Sequence, residues 1–368
     1  MKPSVFIDYP INKCGEFVGL SFPQIIYNYF RESNDVVLAE SMVKSDFLWV
    51  FGAGSHYSDG RSTVEKLCRR LLQNKYYSPI HLKMFGFDRL QKRNKKYEER
   101  VYRYQKNNPK GKIIHRVDDR FTLLCKLYGF DKSVTYINSL AYKTIVQTEY
   151  CRQIWENDQN TIFGRQLGIK LKNPVKLYNP VDTSIFTDSG PRIRLPGKFN
   201  ILHVATSAMP RKGLGTVLEI ANLLKNNEEF HFVLIGNQVH DPLFGHNIQE
   251  FSNVTQIEPI TNRVELSTYY RSCDLLLFPS DYDCSPNVVL EAMSSGVPVL
   301  LKDSGGTPEL ISKGGITAGL LIDSKNPILS VKTAVERITD LRLGALTMIK
   351  NYHDIDLVGP KALELMLG

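Results

Sequence analysis

Apolar and polar positions alternate along this chain in blocks of two periods, and the second half is the easier to read. Phe199 to Ala205 is an apolar run of strand length, and Leu214, Val217, Leu218, Ala221 and Leu224 then recur at helical spacing on one face. Phe230 to Ile235 reads as a strand that ends at Gly236-Asn237, and Val254 to Ile257 as a short one. Residues 263 to 272 are compatible with a helix that feeds the apolar run Cys273 to Pro279. A second apolar run, Val297 to Leu301, follows one more helical segment. In the first half, Ser4 to Asp8, Val36 to Leu38, Asp46 to Phe51, Lys112 to His115 and Lys143 to Gln147 fit strands, and Pro23 to Phe30 fits an aromatic-rich helix. Strands alternating with helices predict parallel sheets covered on both faces, in an α/β chain.

The Pro/Gly-rich stretch from Ser189-Gly-Pro191 to Pro196-Gly197 interrupts the periodicity and marks the expected boundary between two domains. The expected division is 1–190, 191–345 and a helical segment 346–368. Two domains of ordinary size fit 368 residues, and 42% hydrophobic and 23% charged positions are normal for a soluble globular chain. No apolar run approaches the roughly 18 residues of a membrane span, and Met1 to Asp8 reads as a first strand, not as a signal peptide. The six cysteines are scattered without a CxxC pair or clustered histidines, so neither a disulfide framework nor a zinc site is expected and a cytoplasmic setting is.

Charge changes the picture in one place. Residues 61–120 hold 18 Lys or Arg and 6 Asp or Glu, a net +12 within a chain of net +8. Tyr76, Tyr77, Phe85, Phe87, Tyr97, Tyr102 and Tyr104 are interleaved with these cations. Three readings stand: a solvated helical face, a docking surface for an anionic membrane at its cytoplasmic side, and nucleic-acid binding, which no recognised motif accompanies. Nucleic acid is not expected as a partner.

The most informative stretch is Asp283 to Pro298, DCSPNVVLEAMSSGVP. Ser285 offers an N-cap hydroxyl, Pro286 fits the first helical position, and Gly296 with Pro298 ends the helix. The unpaired N–H groups of such a helix start favour an anion, and Asp283 and Glu291 add two carboxylates beside it. A ligand with both phosphates and hydroxyls, such as a nucleotide sugar, fits that combination.

This stretch resembles the signature of retaining glycosyltransferases of family 4, in which two acidic residues with seven between them contact the donor. Arg211-Lys-Gly213, Ser304-Gly-Gly-Thr-Pro-Glu309 and Asn179-Pro-Val-Asp182 with Phe186 resemble the family's phosphate-binding pair, its second glycine-rich loop and its approach to the linker, in the expected order. The resemblance implies a GT-B fold of two Rossmann-like domains, with the last helix crossing back to the first. It implies a donor site in which Glu291 binds the ribose, Asp283 the donor sugar, and Arg211 and Lys212 the diphosphate. Ser285, Pro286, Asn287 and Gly236 would line that site from the loops. Asp283 stands where the family usually has Glu, and Ser207 where it often carries an Arg. His115 resembles the family's first-domain histidine that reaches the donor sugar, with Asp118 and Asp119 as acceptor contacts. Gly15 and Gly19, like Gly52 and Gly54, read as tight strand-to-helix loops on the ligand side. Cys284 reads as a packed small residue, not a nucleophile.

The implied activity is transfer of a hexosyl unit from a UDP- or GDP-linked sugar to a glycan or glycolipid hydroxyl, with retention. No permanently bound cofactor and no metal are expected, since no DxD-type motif accompanies the donor region and two cations can face the diphosphate. A catalytically silent nucleotide-sugar binder and a nucleotide-sugar epimerase remain the alternatives, whereas nothing resembles the pyridoxal-phosphate lysine of a phosphorylase.

Overall fold

A computed structural model describes residues 2–8, 21–51, 87–120, 128–157, 161–162, 165–166, 168–205, 210–236, 248 and 251–368. The chain divides into two units, Met1–Asn179 with Val358–Gly368, and Pro180–Leu357.

In the first unit the strands are β1 (Ser4–Asp8), β2 (Val37–Leu38), β3 (Phe47–Phe51), β4 (Lys112–Arg116), β5 (Lys143–Val146), a hairpin of β6 (Thr161–Ile162) and β7 (Arg165–Gln166), and β8 (Pro174–Lys176). Six of them form one sheet in the order β2-β1-β3-β4-β5-β8, every pairing parallel. The helices are α1 (Ser21–Glu32), α2 (Phe87–Asn107), α3 (Tyr128–Ser139) and α4 (Glu149–Glu156). Every residue of β3 is buried, which is what a central parallel strand with both faces covered requires. Trp49 packs against Phe22 and Phe30 of α1, with ring centroids 6.4 and 5.5 Å away. Tyr97, Val101 and Tyr104 of α2 join Leu48, Val50 and Ile113 in a core on the sheet. Thr148 starts α4 by accepting a hydrogen bond from the Cys151 N–H at 3.1 Å. A buried ion pair joins Arg120 to Asp131 at 3.1 Å, and Arg120 also donates to the Ile154 carbonyl at 2.6 Å.

The second unit carries β9 (Phe199–Val204), α5 (Leu214–Leu223), β10 (Phe230–Ile235), β11 (Val254–Ile257), α6 (Arg263–Ser272), β12 (Leu275–Phe278), α7 (Asn287–Ser294), β13 (Val299–Leu301) and α8 (Thr307–Ile311). A hairpin of β14 (Ser312–Lys313) and β15 (Ile316–Thr317), then β16 (Gly319–Leu321), α9 (Pro327–Glu336) and α10 (Ile338–Met348) follow, and α11 (Ile355–Leu367) starts here but belongs to the first unit from Val358 onward. Its sheet runs β11-β10-β9-β12-β13-β16, again all parallel. Alternate residues feed two cores: Leu202, Val233 and Leu276 on one face, Ile201, Phe232, Leu234 and Leu277 on the other. The order of the first five strands reverses at β9 and β12, the topological switch where open α/β sheets bind ligands at their carboxyl edge.

The expected strands Ser4 to Asp8 and Phe230 to Ile235 are found as read. Asp46, expected in a strand, instead accepts from the Ser4 N–H and hydroxyl at 2.7 Å each. The expected Pro286 start of a helix moves by one residue: Pro286 lies outside α7 with extended backbone, and no side chain caps that end. The stretch from Ser189 to Gly197 is packed on the second unit, where Arg271 donates to the Pro191 carbonyl at 3.2 Å and the Ile193 N–H donates to Ser272 Oγ at 2.8 Å.

His203 of β9 is fully buried, and its Nδ1–H donates to the Leu277 carbonyl at 2.9 Å. Burial, assisted by the nearby charge of Lys212, lowers its pKa to about 4 from the usual 6.5. Between those values the unfolded chain binds more protons, so the stability owed to neutral His203 is complete above 6.5 and lost as pH falls towards 4. That loss is on the order of 3 kcal/mol. Urea unfolding of wild type and His203→Gln at pH 7 and pH 4.5 checks it: the variant should show a smaller drop, and equal drops would contradict it.

Candidate active site

Two loops leave the switch point, one after β9 and one after β12, and the sequence forces them together. Pro210–Lys212 forms one short turn, and Gly213 follows with φ +79°. A side chain at 213 would collide with the Pro279 carbonyl oxygen, so only glycine permits this approach. The Arg211 carbonyl accepts from the Asp281 N–H at 2.7 Å and the Ser280 hydroxyl at 2.9 Å. The loop after β13 closes from the other side, with the Gly306 N–H donating to the Asp283 carbonyl at 2.8 Å.

At this junction Asp283 is 5% exposed. Lys212 Nζ donates to its two carboxylate oxygens at 2.7 and 2.8 Å, Arg211 Nη1 donates to Oδ1 at 2.8 Å, and Ser280 Oγ donates to Oδ2. Burial alone would raise this carboxyl's pKa, but the charges of Lys212 and Arg211 overcome it and hold the group well below the usual carboxylate range. The Lys212 ammonium also lies 5.5 Å above the Phe278 ring. These three charged groups carry a net positive charge of one, with Asp283 buried and the two cations partly exposed.

Glu291 of α7 occupies a second cluster. It is 5% exposed, accepts from the Tyr270 hydroxyl at 3.1 Å and pairs with Arg263 at 3.2 Å. Burial, then the Glu291 charge, push the Tyr270 phenol well above its ordinary pKa, so it remains a donor at neutral pH. Phe186 meets the Tyr270 ring edge-on at 5.7 Å, and the Arg263 guanidinium lies 4.7 Å from the Phe186 ring. Thus Phe186, noted in the sequence for its place after Asn179-Pro-Val-Asp182, helps hold the side chains that position Glu291.

Ser285 and Cys284 are buried in the loop before α7, Pro286 occupies the position just ahead of that helix, and Asn287 is its first, half-buried residue. Gly236 ends β10 with φ +129° and packs directly on the Ala205 carbonyl at the end of β9. In the first unit His115 is fully buried in β4, its Nδ1 3.2 Å from Asn138 Nδ2. Asp118 pairs with Arg116 at 3.0 Å and accepts from Gln147, and Asp119 is half-buried. Gly15, Gly19, Gly52, Gly54 and Ser207 lie outside the described residues. Sequence reading missed Ser280, Tyr270 and Arg263; no local pattern marks them, because each acts through a partner at least three positions away. Among the described residues, no three or more His, Cys, Asp or Glu side chains converge as a metal site.

Residues 198–340 match the family described as glycosyl transferases group 1. The N,N'-diacetylbacillosaminyl-diphospho-undecaprenol alpha-1,3-N-acetylgalactosaminyltransferase of Campylobacter jejuni is 28% identical over 203 residues, 52% of this chain and 51% of the relative. A D-inositol 3-phosphate glycosyltransferase of Thermobispora bispora is 31% identical over 97 residues, 26% of this chain and 22% of the relative. The matches therefore span about half or less of those proteins. Among solved structures, Anabaena Alr3699/HepE in complex with UDP and glucose superposes with a TM-score of 0.63 at 13% identity, covering 100% of both chains. Sucrose-phosphate synthase of Thermosynechococcus elongatus gives 0.64 at 12%, covering 99% and 98%. Likeness at such identity speaks to the fold alone, which is GT-B. The matched segment, residues 198–340, spans both acidic clusters and makes this part of the chain similar to the glycosyl transferases group 1.

Proposed function

We propose that this chain is a retaining glycosyltransferase of family 4 type. It moves a hexosyl unit from a UDP- or GDP-linked sugar to a hydroxyl of a glycan or glycolipid acceptor, at the cytoplasmic face of a membrane and without a divalent metal. The observation that carries the reading is the cluster of Arg211, Lys212 and Asp283 at the carboxyl ends of β9 and β12. Support for the donor class comes from structural neighbours solved with UDP and glucose and with UDP and GlcNAc.

In this mechanism the anomeric carbon–oxygen bond to the diphosphate breaks while the acceptor oxygen attacks from the same face. The acceptor proton passes to the departing diphosphate oxygen, so no protein base is required. Negative charge grows on the leaving group, and Lys212 and Arg211, oriented in advance by Asp283, stabilise it. Asp283 also accepts hydrogen bonds from donor-sugar hydroxyls and offsets positive charge at the anomeric carbon. Glu291, fixed by Tyr270 and Arg263, accepts from the ribose hydroxyls. Thermal shift with UDP-, GDP- and ADP-sugars, followed by assay of nucleoside diphosphate release, tests the reading. Stabilisation without release would identify a silent binder, and no response to any of them would refute a nucleotide-sugar site.

Lys212→Ala should lower turnover on the order of 10²-fold, with a smaller change in donor affinity, because the charge it meets develops in the transition state. Steady-state kinetics decide this, and unchanged kcat would move the phosphate site elsewhere. Glu291→Ala should weaken nucleoside diphosphate binding about 10-fold or more by calorimetry, since a ribose contact is made in ground and transition states alike. Unaltered affinity would remove Glu291 from the donor contacts. Activity should survive a chelator; complete loss that added metal restores would demand a cation bound by carboxylates.

A further inference from the structure

Helix α2 carries part of the net positive charge of residues 61–120 to the surface. Asn94, Tyr97, Val101 and Tyr104 recur at intervals of three and four and are buried. The opposite face presents Lys95, Lys96, Glu99, Arg100, Tyr102, Arg103 and Lys106, all exposed, with Lys110 in the turn beyond. Of these cations Arg100 is paired, bidentate to Asp8 at 2.6 and 2.7 Å. Among the described residues Lys95, Lys96, Arg103, Lys106 and Lys110 form no ion pair, although Glu99 shares their face. Elsewhere in the same unit Arg116, Arg120 and Arg152 each meet a carboxylate. Arg103 and Lys106 lie three positions apart on α2, a spacing at which like charges repel on a helix.

A second feature lies within this face. Tyr102 of α2 is 48% exposed and Tyr136 of the adjoining α3 is 38% exposed. Tyr136 is within electrostatic reach of Tyr102 and of Glu98, and Glu98 accepts a hydrogen bond from Ser133 between the two helices. Two large rings left half in water, each with a polar tip, amid unpaired cations suit the headgroup level of a bilayer, where amphipathic side chains are favoured and anionic lipids attract Lys and Arg. A polynucleotide fits less well, because bases stacked on these rings would bring phosphates beside Glu98 and Glu99.

We propose that the outward face of α2, with Tyr136 of α3, docks on an anionic membrane surface. This deepens the acceptor side of the proposed function, on which it rests only for the reason a membrane is present. Binding would be adsorption: the apolar side of α2 is already in the core, so attraction depends on charge and fades within a Debye length.

The test sediments the full chain with phosphatidylcholine vesicles and with vesicles about one-third phosphatidylglycerol, at ~0.05 and ~0.5 M salt. The wild type should bind the anionic vesicles alone and lose most of that binding at the higher salt. K95E/K96E/R103E/K106E should reduce partition roughly 100-fold or more, with its melting temperature and nucleoside diphosphate release unchanged. Tyr102→Ser with Tyr136→Ser should weaken partition by about 3-fold or more while leaving the salt dependence intact. Equal partition of the wild type and the charge-reversal variant, or salt-insensitive binding, overturns the proposal. So does retention of RNA or DNA in place of vesicles. Vesicle binding is read without donor sugar, so a chain that docked yet released no nucleotide would sink the proposed activity and leave this surface standing.

Discussion

Asp283 is a carboxylate almost removed from water, and such a charge is tolerated only with close partners. Its partners, Arg211 and Lys212, come from a loop more than seventy positions earlier in the chain, so the loops after β9 and β12 must meet. The meeting is exacting in backbone terms. Gly213 has to adopt a left-handed conformation against Pro279, and Ser280 divides its hydroxyl between the Arg211 carbonyl and the Asp283 carboxylate. Deleting Asp283 would leave the Lys212 and Arg211 cations side by side without a counter-charge, which costs far more than the cluster contributes to stability. The cluster thus ties the architecture of the sheet to the electrostatics of the site.

The parallel sheet makes that location available. In a fully parallel arrangement the carboxyl ends of all strands lie on one edge, and the reversal of strand order at β9 and β12 parts the loops there. Two acidic residues one helical stretch apart are thereby given different surroundings. Asp283 is held by cations and a serine, and Glu291 by a phenol, a guanidinium and the Phe186 ring behind them. Each side chain is oriented before any ligand arrives, which is the condition under which charged groups act most strongly on a developing charge. His203, behind the same strands, remains neutral because its ring is buried near Lys212.

The first unit is built on the same plan, yet its charged groups are arranged differently. Buried arginines there are matched with carboxylates, as in Arg120 with Asp131, while Lys95, Lys96, Arg103 and Lys106 on the outward row of α2 are not, among the described residues. Pairing follows burial: a guanidinium enclosed among Trp155 and backbone carbonyls requires a counter-charge, whereas a lysine in water does not.

Short-range pattern was enough for five of the six strands of the second unit's sheet, β16 being the exception. Phe230 to Ile235 and Phe199 to Val204 are apolar without interruption, as strands covered on both faces must be, and their flanking helices have clear periodicity. The spacing of Asp283 and Glu291 and the Arg211-Lys212-Gly213 triplet were equally plain, because loop chemistry at a strand end is local. Less was legible where a residue's state depends on distant chain: Asp46 left its strand to bind Ser4, and Pro286 gave up the first helical position. The sequence by itself determined the strands and helices that carry the donor loops and which charged residues lie at the ends of them. Only the tertiary structure decided that Asp283 would be enclosed by Lys212, Arg211 and Ser280, and Glu291 by Tyr270 and Arg263, because burial and pairing are properties of neighbours in space, which a linear pattern does not contain.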